Sequence, residues 1–433
     1  MRYGLYGSLA ILIAGFTGLG ILLAPPVTLS PAAEKPETTK EVRDTAEIEG
    51  QRTRGAYLAR IGNCLGCHTA YSGLLYAGGH ILDTSIGIFI TPNITSDKET
   101  GIGLWSEEDF WRALHNGRGR DGSLLYPAFP YSEYTRVSRE DSDAIFAYLQ
   151  SLPPVRQRNA PNRINFPFNW RPLLHLWQLI YFSPGIYLPD TMRDDEWNRG
   201  AYLVQGLGHC NACHTRRNIL GISKGDILGG GQLMGSNWYA PSLTSLQEAS
   251  TADWPIEDIK RLLKTGFTSR AVTTGPMANV VSQSLQFLTE DDARAVAKYL
   301  KSLPETEPRS RGIAPPLTEE VDKQLKKGGQ IYETYCQDCH GNLGEGAPGS
   351  YPALAGNRGV TMASPVNAIR SILNGGYAPV TEVQQRPYGM PPFAQALPDE
   401  EIALVLSYIR NSWGNRGSLI TAEQVDRSRK GAQ

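Results

Sequence analysis

Cysteine and histidine, whose side chains are nucleophiles and metal ligands, occur together in three short groups with one fixed spacing. Each has the pattern C-x-x-C-H, and the three copies are Cys64-Leu65-Gly66-Cys67-His68, Cys210-Asn211-Ala212-Cys213-His214 and Cys336-Gln337-Asp338-Cys339-His340. Two thiols at this spacing can each form a thioether with one vinyl group of a haem. The histidine that follows directly is then held at the iron as its proximal ligand. The pattern therefore predicts sites of covalent haem attachment.

The number of copies separates this interpretation from its rivals. A lone C-x-x-C is equally typical of a redox pair or of half a zinc site. Here the three motifs use all six cysteines of the chain, so no thiol remains for a disulfide or a zinc site. We therefore predict three covalently bound haem c groups, whose irons are ligated by His68, His214 and His340.

The residues before each motif predict the helix that delivers its cysteine pair. The three lead-in sequences are similar and read Arg54-Gly55-Ala56-Tyr57-Leu58, Arg199-Gly200-Ala201-Tyr202-Leu203 and, more loosely, Lys327-Gly328-Gly329-Gln330-Ile331-Tyr332. After each motif, the chain closes the unit with an amphipathic pattern at 140–149, 290–300 and 399–409. Acidic residues fall in the first turn of these helices, where the helix dipole favours negative charge.

This internal repetition predicts a mainly α protein built as an array of small domains. We name the segments the first repeat (51–157), the second repeat (193–305) and the third repeat (318–417). An aromatic linker (158–192) and a shorter linker (306–317) join them, and a C-terminal tail (418–433) follows. The apolar run in the aromatic linker is too short to span a bilayer. It is read either as a packed crossover or as a docking surface for a partner protein or the membrane interface.

The N-terminal residues predict a membrane-targeting segment at 1–27. No charged residue occurs from Tyr3 to Ala24, and this length suits a membrane span better than the core of a signal peptide. The pattern favours an uncleaved anchor, while the rival is a signal peptide with Ser30-Pro31-Ala32-Ala33 as a poor cleavage site. Either way, the haem region is expected on the periplasmic side of the cytoplasmic membrane. Residues 28–50, rich in Pro, Glu, Thr and Lys, are predicted to be a tether.

The net charge and the missing motifs give no support to several other functions. The formal net charge of the 433 residues is −1, which gives no reason to expect nucleic acid or an anionic membrane surface as a partner. No G-x-G-x-x-G stands between a predicted strand and a helix, so nucleotide binding has no support. The cofactor is therefore expected to carry the chemistry, while the protein sets its ligation, burial and orientation.

Several stretches resemble one known family, the triheme cytochrome c subunits of bacterial membrane-bound dehydrogenases for alcohol, aldehyde or gluconate. The resemblance covers about residues 50 to 415, and the stretches that carry it are Thr91-Pro92-Asn93-Ile94-Thr95, Thr100-Gly101-Ile102-Gly103, Leu125-Tyr126-Pro127-Ala128-Phe129-Pro130-Tyr131, Asn165-Phe166-Pro167-Phe168-Asn169-Trp170-Arg171 and Tyr388-Gly389-Met390-Pro391-Pro392-Phe393. It implies three tandem class I cytochrome c domains and a separate catalytic dehydrogenase subunit, with a further small subunit as an additional option.

The favoured function is thus a non-catalytic electron-transfer subunit. It would accept electrons from the dehydrogenase and pass them to ubiquinone or a terminal oxidase in the membrane. The alternative is a haem enzyme, peroxidase-like or ligand-binding, that uses an open first haem. A haem-based sensor or a free-standing shuttle is a third option, although a sensor would need an output domain and a shuttle is normally one small unit.

The resemblance also implies sixth ligands for two of the irons. Met390 lies 50 residues after His340 between Gly389 and two prolines, and Met277 lies 63 residues after His214. Both match the ligand positions of the family, and sulfur is the sixth ligand typical of a high potential. The alternative is that each methionine only fills core space.

The first repeat departs from this pattern because Phe129, 61 residues after His68, stands where a methionine is expected. Three options remain for the sixth ligand of the first haem. His115 or His80 could ligate the iron, the iron could be five-coordinate beneath Phe129, or a ligand could come from another repeat or a partner chain. We expect a five-coordinate or weakly ligated haem, with a potential below those of the other two.

A proximal histidine also needs an acceptor for its second ring nitrogen. A proline follows each motif in a predicted loop: Pro92, Pro241 and Pro352. Resemblance to small cytochromes c implies that a main-chain carbonyl at or near each proline accepts this N–H, whereas the alternative is that the prolines only shape turns. His209, directly before Cys210, is expected near the second haem without ligating it.

Overall fold

Helices form most of the regular structure, so the prediction of a mainly α protein is confirmed. The computed structural model describes residues 45–223, 225–233, 235–306 and 313–431. The predicted anchor or signal segment at 1–27 and most of the predicted tether lie outside these ranges. Within the described ranges, no helix combines the length and the apolar character needed to cross a membrane.

The first repeat combines five helices with a small antiparallel sheet. Its elements are α1 (Thr45–Ile61), α2 (Cys64–Cys67), α3 (Glu107–Asn116), α4 (Tyr131–Tyr134) and α5 (Arg139–Ser151), with β1 (Ile81–Thr84), β2 (Gly87–Ile90) and, from the aromatic linker, β3 (Arg163–Ile164). The sheet order is β1-β2-β3, and Ile81 pairs with Ile90. Helix α3 begins after a capping box between Ser106 and Asp109 and is capped at its C-terminus by Gly117, whose φ of 60° suits glycine.

The aromatic linker contributes one further helix, α6 (Arg171–Tyr181), which contacts both neighbouring repeats. The Gln178 amide donates to the Asn116 carbonyl at 2.8 Å, and the Trp177 indole donates to the Leu220 carbonyl at 2.8 Å. The linker is therefore a packed crossover, as one of its two interpretations predicts. Apolar side chains remain exposed on α6, namely Leu176, Leu179 and Ile180. Their use as a docking surface stays a prediction.

The second repeat follows the same order of elements. Its helices are α7 (Asp195–Tyr202), α8 (Cys210–His214), α9 (Ile256–Thr265), α10 (Gly275–Gln283) and α11 (Glu290–Lys301), and its strands are β4 (Gly231–Gln232) and β5 (Tyr239–Ala240). A π-helical turn, Leu203–Leu207, continues α7 toward the second motif, and a 3₁₀ turn, Leu285–Phe287, precedes α11. Turns of π-helix occur frequently at functional sites.

The third repeat is built similarly and is followed by one more helix. Its elements are α12 (Glu319–Tyr335), α13 (Gln337–His340), α14 (Arg358–Thr361), α15 (Val366–Asn374) and α16 (Asp399–Arg410), with β6 (Gly376–Tyr377) and β7 (Gly389–Met390). Helix α17 (Ala422–Lys430) lies in the predicted C-terminal tail. Its Val425 is fully buried together with Ile420 and Ile402, so this part of the tail belongs to the core of the third repeat.

One close helix contact occurs in all three repeats, where the lead-in helix crosses the closing helix. A Cβ placed on the lead-in glycine would meet a backbone carbonyl oxygen of the closing helix at 1.8 Å for Gly55, 2.0 Å for Gly200 and 2.2 Å for Gly328. No side chain fits at these distances. The glycine of each lead-in sequence therefore allows the two helix backbones to touch, and this contact fixes the position of the motif that follows.

The first and second repeats share one hydrophobic core. A single cluster of buried side chains includes Leu58 and Leu149 from the first repeat and Leu203 and Leu207 from the second. The buried side chains of the third repeat form separate clusters, around Ile402 and around Tyr332, for example. The first two repeats therefore bury apolar side chains against each other in a common core, whereas the third repeat buries its own in separate clusters.

Candidate haem-attachment sites

Each motif begins where a lead-in helix ends. Helix α1 ends at Ile61 just before Cys64, the π-helical turn after α7 ends just before Cys210, and α12 runs directly to Cys336. The residues before the first two motifs, Asn63 and His209, have left-handed backbones with φ of 54° and 40°. The chain therefore turns sharply and starts a new short helix with the cysteine pair.

All six cysteines are free thiols, so none is used in a disulfide. Burial raises the pKa of the Cys64 and Cys210 thiols to about 12. These two thiols are thus protonated at neutral pH. The six cysteines are therefore available for thioether formation, as the motif interpretation requires.

The three motif histidines share one hydrogen-bond arrangement. In each, the Nδ1 nitrogen lies against the carbonyl oxygen of a proline: His68 and Pro92 at 2.8 Å, His214 and Pro241 at 2.7 Å, and His340 and Pro352 at 3.0 Å. The prediction that a carbonyl at or near each of these prolines serves as acceptor is confirmed.

The arrangement fixes the tautomer, because a carbonyl only accepts. Nδ1 carries the proton, and the lone pair of Nε2 is left for a metal. Burial lowers the pKa of all three imidazoles, and the proline carbonyls oppose this shift only in part. The rings are therefore neutral. Paired free thiols beside an oriented neutral imidazole are the donor set that covalent haem requires, so these residues fit the group.

The two predicted sulfur ligands lie in comparable places. Met277 is in the first turn of α10, and Met390 forms part of β7, where it pairs with Gly376 of β6. Both side chains are half-buried, and Met390 packs against the core cluster of the third repeat. Each methionine precedes the closing helix of its repeat. Ligation of iron by their sulfurs stays a prediction.

Phe129 occupies the corresponding place in the first repeat. It lies in the loop between α3 and α4, and its ring packs on Tyr134 with 5.4 Å between ring centroids. His115, the first histidine candidate for that repeat, directs Nδ1 at the Thr135 carbonyl at 2.9 Å. His80, the second candidate, pairs through its backbone with Thr91, beside Pro92. Both candidate histidines are thus hydrogen-bonded within the first repeat, His115 through its ring and His80 through its backbone.

Tyr134 joins the first motif to the second, a role that the sequence did not indicate. Its hydroxyl donates to the Gly62 carbonyl at 2.8 Å, and its ring meets His209 edge-on at 5.2 Å. Burial and the nearby thiols of the first motif raise the pKa of Tyr134 well above its ordinary value, so the phenol stays a donor. Gly62 and His209 closely flank the two motifs. The first and second attachment sites are therefore neighbours.

Two crossed carboxylate clusters hold the same two repeats together. Asp141 accepts from Arg54 of its own repeat at 2.6 Å and from Tyr202 of the other repeat at 2.6 Å. Asp292 makes the equivalent bonds, accepting from Arg199 at 2.8 Å and from Tyr57 at 2.6 Å. The sequence repeat contained both arginines and both tyrosines, but nothing in it indicated that each tyrosine crosses to the opposite repeat.

Comparison with known proteins adds independent information. A family model described as cytochrome c matches residues 325–413, which lie in the third repeat. The chain is 42% identical over 365 residues to a subunit of nicotinate dehydrogenase from Pseudomonas putida, covering 83% of this chain and 30% of that protein. It therefore spans only about a third of that relative.

Other relatives are matched over most of their length. The chain is 37% identical over 391 residues to the cytochrome c subunit of alcohol dehydrogenase (quinone) from Gluconacetobacter polyoxogenes, covering 87% of this chain and 83% of that protein. It is 35% identical over 395 residues to the cytochrome c subunit of gluconate 2-dehydrogenase from Pantoea cypripedii, covering 87% and 89%. The similarity therefore includes all three motif regions rather than the third repeat alone.

Proposed function

We propose that this chain, which belongs to the family of cytochrome c subunits of bacterial dehydrogenases, holds three haem c groups in three tandem cytochrome c domains. In this proposal it relays electrons from a separate dehydrogenase to ubiquinone or a terminal oxidase. The observation that carries the proposal is the threefold arrangement of two free thiols beside a histidine whose Nδ1 is held by a proline carbonyl.

The residues have distinct tasks in this function. Cys64 and Cys67, with their counterparts in the other motifs, would hold the haem covalently, and His68 would ligate its iron through Nε2. When bound, the haem supplies a one-electron carrier. The Pro92 carbonyl keeps the imidazole from rotating and increases the basicity of the ligating nitrogen. The protein thereby minimises rearrangement when the charge on the site changes.

Met277 and Met390 are proposed as the sixth ligands of the second and third haems. Thioether sulfur favours the reduced metal, so these two haems are expected to have the higher potentials. Their positions before the closing helices, Met277 in the first turn of α10 and Met390 in β7, support this assignment. A potentiometric titration in which Met390→Leu leaves all three potentials unchanged would contradict it.

The names of the relatives support a catalytic partner, and the uncharged run from Tyr3 to Ala24 supports a location at the membrane. Cytochrome subunits similar to this chain belong, by name, to dehydrogenases of alcohol and gluconate. We propose that this chain binds a comparable catalytic subunit on the periplasmic side of the cytoplasmic membrane, anchored by residues 1–27. The substrate is then a small alcohol, sugar acid or related compound that the catalytic subunit selects.

The haem content tests the first half of the proposal. The full chain, matured in a host that attaches haem c, is expected to give three haems per chain in a pyridine haemochrome assay. Double substitution of Cys336 and Cys339 by Ser is expected to remove one of the three and leave the others. Haem that is extracted by acidified solvent, or a wild-type content well below three, would overturn the assignment.

Isolation of the native complex tests the second half. Purification of the chain from its own membranes is expected to bring a dehydrogenase with it. The substrate of that enzyme should then reduce the haems, and a soluble ubiquinone analogue should reoxidise them. A purified complex whose haems stay oxidised in the presence of its substrate would contradict the electron-transfer function.

A further inference from the structure

We propose that the haem held by Cys64, Cys67 and His68 has no side chain as its sixth ligand, and that this position binds small uncharged diatomic molecules such as carbon monoxide. The inference rests on the proposed function, because it requires a haem at the first motif. It assigns to that haem a ligand-binding site that the second and third haems lack.

The backbone shows that Phe129 stands where Met277 stands in the second repeat. Helix α3 is capped at its C-terminus by Gly117 with φ of 60°, and α9 is capped by Gly266 with φ of 70°. The carbonyl of each glycine accepts a main-chain N–H from the returning strand of the loop, from Leu125 in one case and from Thr273 in the other, both at 2.8 Å. Four residues after these donors come Phe129 and Met277. The two side chains therefore leave equivalent points of equivalent loops.

Phe129 lies beside the first motif but offers no lone pair. Its ring packs on Tyr134 at 5.4 Å, and Tyr134 in turn binds the Gly62 carbonyl just before the motif. Cys64 packs against the same hydrophobic cluster as Phe129. The phenylalanine thus supplies apolar surface at the place where the second repeat supplies sulfur.

His115 is engaged on another face of α3. The buried side chains of α3 are Phe110, Ala113 and Leu114. His115 instead stacks on Trp111, with 4.4 Å between centroids and 10° between planes, and its Nδ1 faces the Thr135 carbonyl. Ligation would require this histidine to leave both contacts.

His80 lies on the proximal side of the first site. Its backbone N–H donates to the Thr91 hydroxyl at 3.0 Å, and its carbonyl accepts the Thr91 N–H at 3.0 Å. Thr91 directly precedes Pro92, whose carbonyl holds His68. A sixth ligand would have to lie on the face of the haem opposite His68. The position of His80 beside Thr91 therefore argues against it as that ligand.

Few methionines could serve as the sixth ligand of the first haem. The first repeat contains none. Met192 lies on a surface turn and is 87% exposed, whereas Met362 is 3% exposed within the third repeat. Met277 and Met390 are assigned to the other haems. Met234 lies outside the residues that the structure describes, and a variant of it is therefore included in the test.

The chemistry of the position selects the class of ligand. The side chain that replaces the sulfur is a hydrocarbon ring, which neither donates nor accepts a proton. Cleavage of peroxide needs an acid–base group at the distal side, and an anion would lose solvation there without gaining a partner. An uncharged diatomic has neither requirement and binds reduced haem directly.

The experiment measures carbon monoxide bound by the dithionite-reduced full chain, relative to total haem from the pyridine haemochrome assay. The wild type is expected to bind one carbon monoxide for every three haems. Resonance Raman spectra without added ligand should show one high-spin haem. Phe129→Met should abolish both signals while total haem is unchanged. In the oxidised protein it should also add a methionine–iron charge-transfer band to the absorption spectrum.

Two matched variants distinguish an effect of the residue at the distal position from general disruption of the fold. Phe129→Leu keeps the side chain apolar and should bind carbon monoxide as the wild type does. Met277→Phe is the reciprocal change and should raise binding to two per three haems. It also keeps the inference testable if Phe129→Met fails to fold.

Several outcomes would overturn the inference. A wild type that binds no carbon monoxide and shows no high-spin haem has a sixth ligand, and new binding in His115→Gln, His80→Gln or Met234→Leu would identify it. Binding that survives in Phe129→Met would show that this residue is not at the distal position. A chain that carries only two haems, with the first motif empty, would instead refute the proposed function at that motif.

Discussion

A single carboxylate can bind two repeats when each supplies one of its donors. Asp292 is such a residue: burial alone would raise the pKa of its carboxyl, but the hydrogen bonds from Arg199 and Tyr57 outweigh burial and lower that pKa below its ordinary value. Tyr57 remains protonated as the donor, because burial and the neighbouring Asp292 raise its pKa to about 12. The ionised form of Asp292 therefore stabilises the folded state.

The cost in stability of losing the hydrogen bond between Tyr57 and Asp292 is expected to depend on pH. A carboxyl with a lowered pKa in the folded state contributes stability above its unfolded pKa of about 4, and this contribution disappears as the pH falls through the folded value. We expect Tyr57→Phe to lower the free energy of unfolding by about 2 kcal/mol at neutral pH. The penalty should shrink below about pH 4.

Urea unfolding followed by far-ultraviolet circular dichroism measures this at several pH values. Tyr71→Phe is the control, because the Tyr71 side chain is 99% exposed, and it should have little effect at any pH. A Tyr57→Phe penalty that stays the same in strong acid and at neutral pH would show that the bond does not depend on the charge of Asp292.

Individual side chains also differ in how far the sequence predicts them. The C-x-x-C-H pattern predicted the thiols and the imidazoles, because their spacing along the chain is itself the chemical requirement. The proline acceptors were implied by resemblance and are confirmed. Tyr134 and the crossed tyrosines were not predicted, because their partners are distant in sequence and are chosen only by how the repeats pack.

At the scale of elements, the lead-in and closing helices are the parts that the sequence predicted best. The closing helices were expected at 140–149, 290–300 and 399–409, and they occur at Arg139–Ser151, Glu290–Lys301 and Asp399–Arg410. Their acidic first turns and apolar periodicity are local properties that a sequence contains. Helix α17 was not predicted, since Val425 is its one buried apolar residue and one residue makes no period.

The glycine at the helix crossing gives a prediction at this scale. Gly200→Ala would place a Cβ at 2.0 Å from the Ala295 carbonyl oxygen. We expect the helices to separate, which should lower the unfolding free energy by about 1–3 kcal/mol. The yield of haem-loaded protein should fall as well. Thermal unfolding and the pyridine haemochrome assay measure the two effects.

Gly50→Ala is the matched control, because Gly50 also lies in a lead-in helix but has nothing within 4 Å of its added Cβ. Alanine is the better helix former, so this variant should be unchanged or more stable by up to about 1 kcal/mol. Equal destabilisation by both substitutions would mean that helix packing at Gly200 is not the cause.

At the scale of the whole molecule, the distribution of buried side chains divides the repeats two and one. The first two share a core, and the third has its own clusters. We expect calorimetry of the haem-loaded chain to show two transitions rather than three, because a shared core unfolds cooperatively. Tyr202→Phe, which removes a bond between the first two repeats, should lower the midpoint of one transition only.

Tyr335→Phe serves as the comparison in that experiment, since its side chain is 46% exposed in the third repeat. It should leave the transition affected by Tyr202→Phe unchanged. Three independent transitions in the wild type, or a shift of both midpoints by Tyr202→Phe, would contradict the division.

The crossed tyrosines have a consequence for protein engineering. Since each of the first two repeats satisfies a buried carboxylate of the other, a hybrid that takes only one of them from a relative inherits half of a reciprocal pair of bonds. Grafts should succeed when both are exchanged as a single cassette, and the shorter linker (306–317) then becomes the natural splice point.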